Sequence, residues 1–185
     1  MGERVIVRTA REGDAEALAA IYGDACLHGL GTFEEAAPSA EEMGSRVKAV
    51  LDRGLPYLVA EIDGEVAGFA YAAPFRLRAA YRYTVEDSVY IHPGHKGRGV
   101  GKALLARVVE ACEALGLRQI MAVIGDSGNE GSIGLHRSLG FEMKGAMPAV
   151  GYKHGRWVDI VFMQRSLNGG AETGPGASGL DLRGH

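Results

Sequence analysis

The sequence predicts a single α/β domain on a mixed sheet, with the element order βααβββαβαββ. Three observations carry that reading. Short β-branched or alternating apolar runs recur along the chain, an Asp63-Gly64 turn joins two of them early, and helix-period segments alternate with strands late. The chain has 185 residues, 46% apolar and 23% charged, which suits one globular domain with room for a tail.

Val5-Ile6-Val7-Arg8 reads as the first strand. Asp14 then caps a helix in which Ala17, Leu18, Ile21, Tyr22 and Ala25 recur at helical spacing. Gly29-Leu30-Gly31-Thr32-Phe33 breaks it, and Pro38-Ser39 opens a second helix with Met43, Val47, Val50 and Leu51 on one face. Tyr57 to Ile62 and Val66 to Ala72 form a hairpin, followed by a basic, aromatic loop from Pro74 to Tyr83 and a strand from Val85 to Ile91. Gly97 to Gly101 leads into a helix carrying Leu104, Leu105, Val108, Val109, Cys112 and Leu115, with Gly116 as its C-cap. Gln119 to Ile124 is a buried-type strand and Ser132 to Leu139 a short helix stopped by Gly140. Strands around Phe141 to Val150 and Trp157 to Gln164 close the domain at residue 167. Residues 168–185 hold six glycines and little to bury, so a disordered tail is expected there.

Composition excludes several classes. A net charge of −3 gives no bulk attraction to nucleic acid. No apolar run approaches the roughly 20 residues that span a bilayer. Met1-Gly2-Glu3-Arg4 leads into a β-branched run and not an export signal, so a cytoplasmic protein is expected, with neither nucleic acid nor membrane as partner. Cys26 and Cys112 are too far apart for a metal knuckle and read as free buried thiols. His92-x-x-His95 is too tight and too poor in partners for zinc, and no metal is expected. His154 reads as turn chemistry and Trp157 as packing.

The 28 glycines, about twice the usual usage of roughly 7%, point to a site. Lys96-Gly97-Arg98-Gly99-Val100-Gly101-Lys102 lies between a strand and a helix, where unpaired amides and the helix dipole suit a phosphate and glycines let the backbone approach it. A Walker A loop fails because Lys102 precedes Ala103, and a Rossmann fingerprint fails on spacing. Lys96-x-x-Gly99-x-Gly101 instead resembles the acetyl-CoA pyrophosphate loop of the GCN5-related N-acetyltransferases, the GNAT superfamily, with lysine a mild departure at the first position. The resemblance implies that superfamily's mixed, mostly antiparallel sheet flanked by helices.

A carboxylate pair interrupts the strand before the loop. Alternation puts Glu86, Ser88 and Tyr90 on one face and Asp87, Val89 and Ile91 on the other. Either acid can pair with Arg78, Arg82 or Arg98, the simpler reading for Asp87, whereas Glu86 also suits proton removal from an attacking amine. His136 lies on the short helix; a lone helical histidine is more often packing than catalytic. Arg78 and Arg82 of the basic loop are either solvated or able to grip a carboxylate beside such an amine, and Tyr81 and Phe33 can wall a short side chain.

Leu58 to Gly68, Ala80 to Glu86, Ala122-Val123-Ile124-Gly125, Leu135-His136 and Gly151 to Asp159 are similar to the phosphinothricin acetyltransferase group, with its methionine sulfoximine and methionine sulfone acetylating members. The likeness runs over about residues 4–167. It implies Glu86 as the base and His136, in a slot where many relatives of the superfamily have tyrosine, as the second acid/base group. It implies acetyl-CoA contacts from Val89, Tyr90, Ile91, Gly97, Arg98, Gly99, Val100, Gly101 and Lys102, with Asn129 and Ser138 further on. Direct acetyl transfer to the α-amine of a small amino-acid analogue follows from it, as do a homodimer and an antibiotic- or herbicide-resistance role. The rival readings are another GNAT enzyme, acting on a protein N-terminus or another amine, and a non-catalytic acyl-CoA-binding module.

Overall fold

Strand-forming and helix-forming segments come in the expected order in the computed structural model, which describes residues 4–182. The start of the chain read for an export signal, residues 1–3, and the end of the expected tail, residues 183–185, lie outside the described residues. The elements are β1 (Ile6–Thr9), α1 (Ala15–His28), α2 (Ala40–Asp52), β2 (Tyr57–Ile62), β3 (Glu65–Pro74), β4 (Thr84–Ile91), α3 (Val100–Ala114), β5 (Gln119–Gly125), α4 (Glu130–Ser138), β6 (Glu142–Lys153) and β7 (Arg156–Ser166). The strands form one sheet in the order β1-β2-β3-β4-β5-β7-β6. Only β4 and β5 run parallel; every other neighbouring pair is antiparallel.

Local chemistry explains most boundaries. Asp63 and Gly64 both take positive φ, 52° and 84°, as the tight β2–β3 hairpin requires. The Ser39 hydroxyl accepts the Glu42 amide at 3.1 Å and starts α2. Asp14, expected as the side-chain cap of α1, does not cap it. Its carboxylate takes both Arg8 guanidinium nitrogens at 2.7 Å and the Arg11 amide at 2.7 Å. A bidentate pair with a guanidinium outweighs a single bond to a backbone amide, and Arg8 also donates to Glu61, which ties β1 to β2. The Arg8 hydrogen bond holds the Asp14 carboxyl below its usual range, against the opposing effect of burial.

Each face of the sheet has its own core. On one, Leu104, Leu105, Val108, Val109 and Cys112 of α3 cover Ala70, Ala72, Val85, Ile120, Ala122 and Met163. On the other, Leu18, Ile21, Tyr22 and Cys26 of α1, with Met43 and Val47 of α2, cover Tyr57, Val59 and Phe69. Tyr57 stacks on Phe69 and Tyr71 at centroid distances of 5.7 and 4.9 Å. The far edge is different: β6 is exposed over Glu142 to Val150. Trp157, expected to pack, is 63% exposed and meets only the rim of Tyr152.

Residues 168–182 lack helix or strand, but they do not hang free as expected of a disordered tail. The Arg118 guanidinium gathers the Gly170 and Thr173 carbonyls, each at 2.8 Å, and Tyr83 donates to the Ala177 carbonyl at 2.9 Å. Glycine-rich backbone carries acceptors that a fixed arginine can collect, which composition alone does not count.

Leu104 is fully buried where α3 crosses the sheet. Leu104→Ala is expected to cost about 2–5 kcal/mol of stability, read as a lower urea midpoint at an unchanged slope.

Candidate active site

The site begins where two strands stop sharing hydrogen bonds. β4 and β5 pair only from Thr84↔Gln119 to Asp87↔Ala122. Beyond that point β4 stays with β3 and β5 with β7, so Val89 to Ile91 and Val123 to Gly125 face each other across an opening. A groove of about 890 Å³ fills this opening and extends from α1 to α4. Its walls are Val89, Tyr90 and Ile91 on one side and Ala122 to Asp126 on the other.

At the outer end lies the glycine loop. Gly97, Gly99, Val100, Gly101 and Lys102 line the groove, as does Lys96. Gly97 and Gly99 take φ of 75° and 80°, and α3 begins at Val100 with its first amides turned to the loop. That arrangement fits phosphate. The Nδ1 atom of His95, another lining residue, is buried with no protein partner and offers one more polar contact. Arg98 is on the exposed side of the same loop. Asn129 lines the groove as the N-cap of α4, its Oδ1 accepting the Ser132 amide at 3.1 Å. Ser138 does not reach it; that residue is exposed and its hydroxyl donates to the Leu135 carbonyl at 2.8 Å.

At the inner end the strands close on Asp87 and His136. His136 Nε2 lies 2.9 Å from Asp87 Oδ2, and both residues are buried, 3% and 5% exposed. The pairing of Asp87 with an arginine, expected from sequence, is therefore replaced by His136. Alternation points Asp87 at the face that α4 covers, whereas the arginines lie on loops. His136 Nδ1 lies 2.7 Å from the Ser132 carbonyl. A carbonyl can only accept, so Nδ1 carries a hydrogen. The other nitrogen faces a carboxylate oxygen, and that contact needs a hydrogen too. A protonated ring satisfies both. Burial disfavours the charged ring, but the hydrogen bond and charge of Asp87 and the Ser132 carbonyl outweigh it, and the pKa is raised above its usual value. Asp87 Oδ1 is buried with no protein partner.

Glu86 occupies the opposite face, as alternation requires, so Glu86 and His136 do not meet; the sheet stands between them. Glu86 is beside the groove wall, next to Asp87 and Ser88, which are part of it. Burial raises the Glu86 pKa, Arg76 opposes that, and Asp87 adds to it. Sequence reasoning chose Arg78 and Arg82 over Arg76, yet Arg76 is the loop arginine whose charge acts on Glu86. Arg82 donates to the Ala79 carbonyl at 3.0 Å and lies over the Tyr83 ring. Arg78 is exposed at the start of the short 3-10 turn Ala79–Tyr81, and Tyr81 meets Phe75 edge-on at 5.8 Å.

Phe33, in the loop after α1, lays its ring against Gly151 of β6. A Cβ at Gly151 would fall 2.3 Å from its ring, so glycine there admits the aromatic. Gly125 is similar: a Cβ would lie 2.1 Å from the Leu30 carbonyl, and the loop after α1 closes directly on the end of β5. The same loop is held from below by Lys153, missed in the sequence. Its buried ammonium donates to the Thr32 carbonyl at 2.8 Å, and burial lowers its pKa. Lys153 is the last residue of a β-strand, and no local pattern marks its inward turn.

Residues 22–141 match the family model described as the acetyltransferase (GNAT) family. A phosphinothricin N-acetyltransferase from Alcaligenes faecalis is 50% identical over 169 residues, 91% of this chain and 86% of that protein. An L-methionine sulfoximine/L-methionine sulfone acetyltransferase from Salmonella typhimurium is 39% identical over 88% of this chain and 94% of its own length. Among solved structures, a GNAT superfamily phosphinothricin acetyltransferase from Sinorhizobium meliloti in complex with AcCoA superposes with a TM-score of 0.89. It has 48% identity and covers 92% of each chain.

A histidine whose pKa is higher folded than unfolded contributes stability that is full below the unfolded value, roughly 6.5, and is lost as pH rises through the folded one. Unfolding free energy is thus expected to fall as pH is raised above that unfolded value, with Asp87→Asn flattening the slope. In a pH titration followed by the 15N resonances of His136, the ring is expected to lose its second proton at a higher pH than an ordinary histidine; loss at or below the ordinary value would contradict the Asp87 pairing.

Proposed function

Because the chain belongs to the GNAT acetyltransferase family and is on that ground an acetyl-CoA-dependent N-acetyltransferase, we propose that its acceptor is the α-amino group of a small amino-acid analogue. Phosphinothricin, methionine sulfoximine and methionine sulfone are the leading classes, on the likeness to enzymes named for them. The observation that carries the reading is the parting of β4 from β5, which joins a phosphate-fitting loop at one end to a proton-holding pair at the other.

Acetyl-CoA supplies the activated acetyl thioester. Gly97 to Lys102 and the first amides of α3 hold its phosphates, and the unpaired edge of Val89, Tyr90 and Ile91 offers backbone groups to its arm and to the reacting carbonyl. Asn129 shapes the inner wall from the cap of α4. Glu86, made more basic by burial, takes the proton that the attacking nitrogen loses. As the carbon–sulfur bond breaks, the sulfur leaves with the electron pair, and the proton held between Asp87 and His136 neutralises it. Glu86 then releases the proton it took to solvent and the pair regains one from solvent, so overall one proton passes from nitrogen to sulfur. Arg76 and Arg78, with Tyr81 and Phe33, frame the acceptor, while Arg82 supports the loop behind them. Direct transfer is supported by the cysteines: both are buried, and burial pushes the Cys112 thiol up to about 12, so neither is a ready nucleophile.

The assembly reading is a homodimer through β6 and β7. Met143, Met147, Val150, Tyr152 and Trp157 are all exposed there, along an edge strand with unpaired backbone groups. Two free buried cysteines favour a reducing, cytoplasmic setting. Among the described residues no helix is long and apolar enough to cross a membrane, and no group of three potential ligands could hold a metal.

Two measurements test these readings. In a thiol-release assay with phosphinothricin, methionine sulfoximine and methionine sulfone, Glu86→Gln is expected to lower kcat by roughly 10²–10⁴-fold with little change in the KM for acetyl-CoA. Unchanged turnover at neutral pH would remove Glu86 as the base. In sedimentation velocity, Trp157→Glu is expected to shift a dimer to a monomer, and a wild-type monomer would sink the assembly reading.

A further inference from the structure

Arg76, Arg78 and Tyr81 stand on a loop with little of its own to hold it. Its internal support is a short turn, in which the Tyr81 and Arg82 amides donate to the Arg78 and Ala79 carbonyls at 2.9 and 3.2 Å, the Phe75–Tyr81 ring contact, and the Phe75 amide on the Thr84 carbonyl at 3.2 Å at its base. The loop is exposed from Arg76 to Arg82 and yet leads directly into the strand that carries Glu86. Its rigidity has to come from what grips its end.

Two elements grip it. From the sheet side, the Tyr83 carbonyl accepts the Arg118 and Gln119 amides at 2.9 and 3.2 Å, where β5 begins. From the outer side comes the C-terminal segment. Asn168 anchors its start by donating to the Glu113 and Leu117 carbonyls at 2.8 and 3.0 Å. The Arg118 guanidinium then fixes Gly170 and Thr173, taking the Thr173 carbonyl and hydroxyl at 2.8 and 2.9 Å. Beyond that the segment reaches the loop itself. Tyr83 donates its hydroxyl to the Ala177 carbonyl at 2.9 Å, and the Leu180 amide donates to the Arg82 carbonyl at 2.8 Å. The Leu180 side chain is half-buried against the main core.

The fit at Gly179 is close. Its φ is +76°, and a Cβ there would lie 2.8 Å from both the Arg82 carbonyl and the Tyr83 ring. A side chain at that position cannot be accommodated without lifting the segment from the loop. These contacts span more than ninety positions in sequence, and their C-terminal partners lie beyond the stretch matched by the family model.

We propose that residues 168–182 act as a positioning strap, which holds Arg82 and Tyr83 and thereby fixes the Arg76-to-Tyr81 loop in its acceptor-binding shape. The proposal rests on the reading that this loop meets the acceptor. It makes Tyr83 and Gly179 positioning residues, acting on the acceptor through the loop and touching neither substrate. Coenzyme binding lies along the groove between β4 and β5, so the strap acts on one substrate and not on the other.

The test uses full-length Gly179→Val and Tyr83→Phe, assayed by thiol release with methionine sulfone and phosphinothricin, alongside hydrogen exchange of the loop amides. Gly179→Val is expected to raise the acceptor KM about 5- to 20-fold and Tyr83→Phe about 2- to 10-fold, the range that loss of one or two hydrogen bonds gives. The KM for acetyl-CoA and kcat are expected to stay within about two-fold, since no group held responsible for chemistry is touched. Exchange is expected to rise in residues 76–83 and not in β6 or β7. Equal losses in both KM values, or faster loop exchange with an unchanged acceptor KM, would overturn the proposal. If wild-type protein fails to acetylate either amine, the acceptor reading has failed instead; the strap is then judged by exchange alone, and unchanged loop exchange in Gly179→Val would overturn it.

Discussion

β4 and β5 share four residue pairs and then separate, and the chemistry of this chain depends on where that separation falls. Parallel neighbours in a twisted sheet stay together only while their backbones pair. Here each strand keeps its other partner, β3 or β7, through the parting. The result is an opening through the middle of a sheet, lined by unpaired backbone on both sides. Gly125 lets the Leu30 carbonyl approach the end of β5, and the loop after α1 thereby becomes part of the rim. The last shared pair, Asp87 and Ala122, places a carboxylate at the inner corner, where α4 supplies its histidine.

Among the described residues, several charged groups taken from solvent are met by acceptors or donors that suit the charged form. Arg8 is met by Asp14 and Glu61. His136 is met by Asp87 and a carbonyl, and Lys153 by carbonyl oxygen. Burial lowers the Lys153 pKa, and the charges of Cys26, Glu35 and Glu34 oppose that without overcoming it. What that ammonium secures is the position of Thr32, one residue from Phe33. The cost of burying it is spent on the rim of the site, not on general stability.

Much of this could be read along the chain. Alternation in Thr84 to Ile91 assigned Glu86 and Asp87 to opposite faces, and the glycine loop was placed between a strand and a helix, where it lines one end of the groove. Other features depended on distant partners. Asp87 and His136 are 49 positions apart, and a count of nearby arginines gave Asp87 the wrong partner. Placing both residues on the face covered by α4 was the available signal. For Arg76 against Arg78 or Arg82 no signal existed, because side-chain direction in a loop is set by the turn it makes. Trp157 read as packing by residue type and is exposed at the hairpin end of β6 and β7. The glycine-rich end read as disordered because composition counts apolar side chains and omits the backbone acceptors that Arg118 and Tyr83 use.

By itself, then, the sequence determined the order of elements, the facing of residues along each strand and the glycine-rich turn from a strand into a helix, since all three are set by local periodicity and local backbone freedom. Tertiary structure decided the rest: how far β4 and β5 stay paired, which group shares a proton with His136, and where the last residues lie. Each of those depends on the meeting of segments far apart in the chain, through hydrogen bonds whose partners no local pattern names.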